Sequence, residues 1–127
     1  MVLPALTRGG YGHQTQVNIG LRLGGRKHIV DVLATDATGR KYLVSLKWQQ
    51  VAGTAEQKVP FEVISLAETV RLSDGDYSKA YLVLGGGGWS LREFYVGGGL
   101  SEHLRHSDLV SILTLEDFVA KANKGSL

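Results

Sequence analysis

The sequence predicts an α+β (mixed α/β) fold, and three observations predict it. Three successive segments alternate apolar and polar residues and are joined by short turn sequences; one amphipathic helix pattern follows them; strand-like and helix-like segments then alternate to the C-terminus. A length of 127 residues suits a single domain over residues 1–127, and the apolar (43%) and charged (20%) fractions are those of an ordinary globular chain. No run approaches the ~18 apolar residues of a membrane helix, and the first dozen residues lack the pattern of a signal peptide. A cytoplasmic location is the simple expectation, with no membrane partner. The absence of cysteine excludes disulfides, thiolate chemistry and Cys-based zinc sites. A formal charge of +2 means that a nucleic-acid-binding face must come from local clustering of cations.

Residues 1–12 carry Pro4 and three glycines without a period, and the stretch to residue 15 is expected to be an irregular arm. From Gln16 to Leu23, Val17, Ile19, Leu21 and Leu23 share one face of a strand, with Gly20 placed for a bulge. Gly24-Gly25 supplies a tight turn into a second, more uniformly apolar strand from Lys27 to Thr35. Asp36 to Arg40 turns again, with Gly39 at a left-handed position, into a third strand from Lys41 to Gln50. The three strands predict an antiparallel meander. Val59, Val63, Leu66, Ala67 and Val70 then recur at helical spacing. Thr54 with Gln57 reads as a capping box, whereas Pro60 favours the first helical position, so the helix starts near Thr54 or near Pro60. A buried strand from Lys79 to Leu84 ends at Gly85 to Gly88, which is expected to be a flexible loop or a close backbone approach. Ser90 to Tyr95 and Leu100 to Arg105 are short helical candidates. Leu109 to Leu113 is a last strand, Thr114 caps a final helix, and residues 123–127 are expected to fray.

The chemistry concentrates between Asp31 and Glu62. Asp31 is flanked by apolar residues on its strand, where a carboxylate is costly without a cation or donors. If Thr35 and Lys41 close the second turn, Ser45 falls opposite Asp31 and Lys47 on the diagonal, within roughly 5 to 8 Å. A carboxylate beside the Leu46 carbonyl can hold Mg²⁺ that keeps several waters. One such water, made acidic by the cation and oriented by Lys47, is suited to attack a phosphodiester in line. Gln49, two residues beyond Lys47, can assist by bonding a water or phosphate oxygen. A second carboxylate is wanted, and the following helix offers two. With a helix continuous from Ala55, Glu56 points within about 35° of the apolar centre and Glu62 lies on the flank; with a start at Pro60, Glu62 gains. Both stay open. Arg22, Arg26, Lys27 and Lys58 lie around the meander and form a candidate nucleic-acid-binding surface. His13, His28, His103 and His106 lack the spacing of a zinc site, and His28, three residues before Asp31, is expected to face away from it. Trp48 and Trp89 are assigned to the core or to a dimer interface.

An Asp on the second strand of a meander, Ser45-Leu46-Lys47 on the third and a Glu on the next helix resemble the PD-(D/E)XK nuclease superfamily. That group includes restriction endonucleases, RecB-type nucleases and archaeal Holliday-junction resolvases. Its usual motif has Asp or Glu where this chain has Ser45, and a Pro where it has Val30. Members with S-x-K take the missing carboxylate from a helix about fifteen residues on, which selects Glu62. The segment Thr54 to Pro60 is also similar to small nuclease-like proteins with T-A-E-x-K-x-P, which selects Glu56. The resemblance implies a restriction-endonuclease-like core, with the meander followed by a helix, a parallel strand and further helix and strand. It implies an Mg²⁺-dependent endodeoxyribonuclease, with Mn²⁺ able to substitute, restriction-like or selective for branched DNA. It further implies a homodimer acting in the cytoplasm of a bacterial or phage-infected cell. The implied site is Asp31, Lys47, Gln49 and Glu62, with Asp31 and Glu56 or Glu62 on the metal. A catalytically silent module of the same fold, binding nucleic acid or a protein, is the alternative.

Overall fold

The computed structural model describes residues 1–127 except Arg22, Leu23 and Ala52, together with the side chains of Thr54 and Ala55. Among the described residues the element order is α1 (Val2–Arg8), β1 (Gly12–Leu21), β2 (Lys27–Thr35), β3 (Lys41–Trp48), a 3₁₀ turn (Thr54–Lys58) and α2 (Val59–Leu72). Then come β4 (Lys79–Gly85), α3 (Arg92–Val96), short 3₁₀ turns at Gly99–Glu102 and Ser107–Leu109, β5 (Val110–Thr114) and α4 (Leu115–Asn123). The five strands form one sheet in the order β1-β2-β3-β4-β5. β1, β2 and β3 pair antiparallel, and β4 and β5 add in parallel. The α+β architecture with an antiparallel meander followed by helix and parallel strand is therefore the one the sequence predicts.

One apolar layer lies under α2, where Val59, Val63, Leu66, Ala67 and Val70 meet Leu43, Ala80, Leu82 and Leu84. All five helix residues are those the periodicity selects. The other layer lies under α1 and α4, where Leu6 and Phe118 pack on Val44, Tyr81 and Val83. β4 is buried on both faces, which is why it reads as a continuous apolar run.

The turns follow from local chemistry. Gly24 and Gly25 both take positive φ, as does Gly39 at +90°. Asp36 Oδ1 accepts the N–H groups of Thr38 and Arg40, an Asx-type closure of the β2–β3 turn. These bonds, led by the Thr38 hydroxyl, hold the Asp36 carboxyl below its ordinary range. The β1–β2 register shifts by one residue between Asn18 and Leu21, with Gly20 at φ +116°, the expected bulge. Thr114 Oγ1 accepts the Asp117 N–H and caps α4.

Both termini differ from expectation. Residues 2–8, expected within an irregular arm over 1–15, form α1, and β1 starts at Gly12. Val2, Ala5 and Leu6 sit at i, i+3 and i+4 and are buried; Pro4 falls in the first turn, where its missing N–H has no intrahelical partner to lose. A Cβ on Gly9 would lie 1.9 Å from the Ala122 carbonyl, so the glycine permits α1 to dock on the end of α4. The C-terminal residues, expected to fray, are tied back by the Leu127 N–H to Tyr11 Oη. The helix start also has an answer: Thr54–Lys58 is a 3₁₀ turn, the α-helix begins at Val59, and Pro60 occupies the first turn. The Thr54 side chain of the expected capping box lies outside the described residues.

Candidate active site

The site forms where β2 and β3 part. Their ladder runs Thr35↔Lys41, Ala34↔Tyr42, Leu33↔Leu43 and Val32↔Val44, the register required to bring Ser45 opposite Asp31, and it stops there. β3 continues alone against β4 as far as Trp48↔Gly85. A fork of this kind exposes main-chain donors that have lost their partner strand. Asp31 supplies one acceptor: its Oδ2 takes the Leu46 N–H at 2.7 Å. The half-buried Asp31 is thereby fixed at the crotch of the fork, where its desolvation is offset by a charge-assisted hydrogen bond.

α2 crosses this opening. Glu62, in its first turn, is 4% exposed, and its carboxylate is held from two sides. The Nε2 of His28 lies 2.9 Å from Oε1, and the Nζ of Lys47 lies 3.9 Å from Oε2. Lys47, Glu62 and His28 thus form a row from β3 across α2 to β2, and Asp31 joins β3 through the Leu46 N–H one residue before Lys47. Ser45, two residues before Lys47, is 4% exposed.

A family model described as a PD-(D/E)XK nuclease superfamily domain matches residues 2–126. The chain belongs to the PD-(D/E)XK nuclease superfamily. It is therefore a nuclease-type domain, of a superfamily that typically uses divalent metal ions. Among solved structures, the crystal structure of the protein of unknown function AF1548 superposes with a TM-score of 0.53 at 12% identity, covering 90% of this chain. The chain spans 54% of that protein, so the likeness concerns the fold. No curated protein matches the sequence.

Within this superfamily fold, Glu56 is placed apart from Glu62. Its carboxylate accepts the Ser90 hydroxyl at 2.7 Å and the Leu91 N–H at 3.2 Å, and its carbonyl accepts Tyr95 Oη at 2.8 Å. The Ser90 bond, reinforced by the Leu91 amide, holds the Glu56 carboxyl below its ordinary range. Glu56 ties the 3₁₀ turn to the segment after β4. Gln49 is likewise engaged: its Nε2 donates to the Gly88 carbonyl at 2.7 Å, while its buried Oε1 has no hydrogen-bond partner. Arg26, Lys27 and Lys58 are exposed; Lys27 opens β2 next to His28, and Lys58 immediately precedes α2. Arg22 lies outside the described residues.

His28 is the residue that strand parity misplaces. It is fully buried against Glu62, although it lies three residues from Asp31. Even-numbered β2 residues change layers across Asp31: Val32 and Ala34 belong to the α1/α4 layer, Val30 to the α2 layer. The partner strand turns at the same level, with Gln16 at φ +52° between the Thr15↔Val32 and Val17↔Val30 pairs. No period-two reading contains this turnover. The available signal was a histidine between Lys27 and a run of apolar residues, which marks a buried imidazole without naming its partner.

The donor set fits a hard divalent cation. Asp31 and Glu62 are hard oxygen ligands, and Mg²⁺ is commonly held by one or two carboxylates with water and substrate phosphate completing its shell. Among the described residues no group of three or more His, Asp or Glu gathers.

Proposed function

We propose that the protein is an Mg²⁺-dependent endonuclease that hydrolyses DNA phosphodiester bonds, restriction-like or selective for branched DNA. Asp31 and Glu62 would hold the cation, with Mn²⁺ able to replace it. The observation that carries this reading is the convergence of Lys47 and Glu62, 3.9 Å apart, at the fork where Asp31 bonds the Leu46 N–H of the same strand. When bound, the cation supplies positive charge to the phosphoryl oxygens and acidifies a water in contact with it. Asp31, with one oxygen fixed by Leu46, offers a preset carboxylate. Lys47 positions the attacking water or a phosphate oxygen by donating from an ammonium whose approach Glu62 limits. Gln49 assists by pinning the glycine segment to the end of β3, its Oε1 being the atom left for a water or phosphate-bound hydroxyl. Glu56 is the weaker candidate for the metal, because Ser90 and Leu91 already use both its oxygens. Arg26, Lys27 and Lys58, with Arg22, supply phosphate contacts. Cutting both strands of a duplex with one site per chain favours a symmetric homodimer.

The deciding measurement is cleavage of supercoiled and branched DNA in Mg²⁺ by the parent protein and by Lys47→Ala. The expected loss is roughly 10²- to 10³-fold, the usual consequence of removing one transition-state donor. Absence of cleavage by the parent, or full activity in the variant, would sink the assignment. Glu62→Gln is expected to lose activity with Lys47→Ala, whereas Glu56→Gln retains it at neutral pH. A second reading, a silent nuclease-fold module that binds nucleic acid or a protein, has one observation in its favour: Ser45 stands where the superfamily motif carries a carboxylate. Parent protein that binds DNA but cleaves none in Mg²⁺ or Mn²⁺ would select it.

A further inference from the structure

α2 begins without a side-chain cap: Lys58, the residue before it, makes no capping hydrogen bond, and Pro60 has no N–H with which to anchor the first turn. Yet that turn carries Glu62, whose approach to Lys47 completes the row of the candidate site. Side chains of a functional site keep their geometry only when the supporting elements hold them to within about 0.5 Å. The start of α2 must therefore be placed from outside the helix.

The anchor is a main-chain carbonyl. Glu56 O, in the 3₁₀ turn, accepts the N–H of Val59, the first residue of α2. It also accepts Tyr95 Oη, at 2.8 Å. A carbonyl oxygen has two lone pairs, and here they join the helix start to α3. Tyr95 is 4% exposed and belongs to the same apolar layer as Val59 and Val63, so packing holds its ring and the hydroxyl is presented from a rigid body. Burial, with the charge of Glu56 adding to it, pushes the phenol pKa up, and the hydroxyl stays a donor at neutral pH. The Glu56 carboxylate ties the same turn to Ser90 and Leu91 through its side chain, whereas Tyr95 reaches the carbonyl on which the helix starts. Glu62 follows Val59 by only three residues, ~4.5 Å along the axis, so a shift of that carbonyl is passed on to it.

We infer that Tyr95 is a positioning residue of the candidate site: its hydroxyl fixes the Glu56 carbonyl from which α2 begins, and through it the placement of Glu62 against Lys47. The inference rests on the metal-dependent nuclease reading and extends its support to a residue on α3, which touches neither Lys47 nor Glu62 by any hydrogen bond or ion pair.

The test reads Mn²⁺ affinity of the full chain by electron paramagnetic resonance, without DNA. Tyr95→Phe deletes the hydroxyl and keeps the ring; it is expected to raise the Mn²⁺ dissociation constant roughly 3- to 10-fold, the range of one net hydrogen bond. Tyr42→Phe controls for a purely structural loss. It removes another buried tyrosine hydroxyl, bonded to Asp36 Oδ2 at 3.2 Å in the layer under α1 and α4, and should leave the constant unchanged. In a Glu62→Gln background Tyr95→Phe should cost nothing further, because it acts through that carboxylate. Hydrogen exchange at the Val59 amide, relative to the β4 amides that report global opening, should quicken in Tyr95→Phe and not in Tyr42→Phe. Parent-like Mn²⁺ affinity or Val59 exchange in Tyr95→Phe, an equal loss of affinity in Tyr42→Phe, or full additivity with Glu62→Gln overturns the inference. Mg²⁺-dependent cleavage that Lys47→Ala abolishes then leaves the nuclease reading standing. A parent protein that neither binds Mn²⁺ nor cleaves DNA overturns both.

Discussion

Lys47 and His28 approach the two oxygens of one buried carboxylate from opposite strands, which leaves Glu62 little rotational freedom. In the proposed role of Glu62, a carboxylate preset in this way would bind a cation without first being ordered, and loss of such a supporting partner commonly costs about 10- to 100-fold in metal affinity. His28→Leu is therefore expected to raise the Mn²⁺ dissociation constant by a factor of that order, read by electron paramagnetic resonance of free Mn²⁺. His28→Gln should recover part of it, and equal affinity in all three proteins would remove His28 from the site. Glu56 makes a different prediction. Its folded-state pKa is depressed by Ser90 and Leu91, so its contribution to stability is present above the ordinary glutamate range and lost as pH falls through the lowered value. Urea unfolding of the parent and Glu56→Gln should differ at pH 7 and converge as pH falls towards 3. A gap that stays constant with pH would contradict that clamp. Asp31, Lys47 and the pair Glu56 and Glu62 are the candidates that residue type and spacing single out. That Glu56 is tied to Ser90 and Leu91 while Glu62 meets Lys47 is not legible there, because those partners of Glu56 lie 34 and 35 residues away.

The strand ends and the glycine segment set the frame for these residues. Gly86 and Gly88 lie against β3's exit: added Cβ atoms would meet the Gln49 carbonyl oxygen at 2.4 Å and the Val51 nitrogen at 2.5 Å. Gly87, between them, meets nothing within 4 Å. The close approach lets Gln49 N–H bond the Gly85 carbonyl and Gly88 N–H bond the Gln49 carbonyl, at 3.0 and 2.7 Å. Gly86→Ala and Gly88→Ala are expected to cost ~1–3 kcal/mol through overpacking, and Gly86→Ala further through its φ of +87°. Gly87→Ala should fall within about 0.5 kcal/mol of the parent in urea midpoint. Equal effects at all three positions would show the contact to be incidental. The glycine run was legible as a loop or a close approach; that the approach is to Gln49 depends on the parallel β3–β4 pairing, which no local pattern specifies.

Across the molecule, two apolar layers sandwich the sheet, and α1 completes the one opposite the site. Leu6 is fully buried between α4 and the sheet, so Leu6→Ala is expected to cost ~2–5 kcal/mol in urea unfolding. A cost below ~1 kcal/mol would mean that α1 does not dock as described. α1 escaped a sequence reading because seven residues span only two turns, too few for a period to emerge beside Pro4 and three glycines. Its apolar residues acquire a face only when α4, more than a hundred positions later, is laid against them.

What the sequence determines by itself is whatever short-range chemistry dictates. The turn built on Asp36 and Gly39 sets the β2–β3 register, and thereby the alignment of Ser45 with Asp31. The five apolar residues of α2 define its buried face, and Thr114 defines the start of α4. The tertiary structure alone decides where the regular ladder is broken. At the fork β2 turns over beside Gln16, which carries His28 to the side that strand parity denies it. There α2, entering after a 3₁₀ turn rather than from Thr54, presents Glu62 to Lys47 and commits Glu56 to Ser90. Periodicity extrapolates a regular strand or helix, and this site is built where two strands separate and a helix begins late.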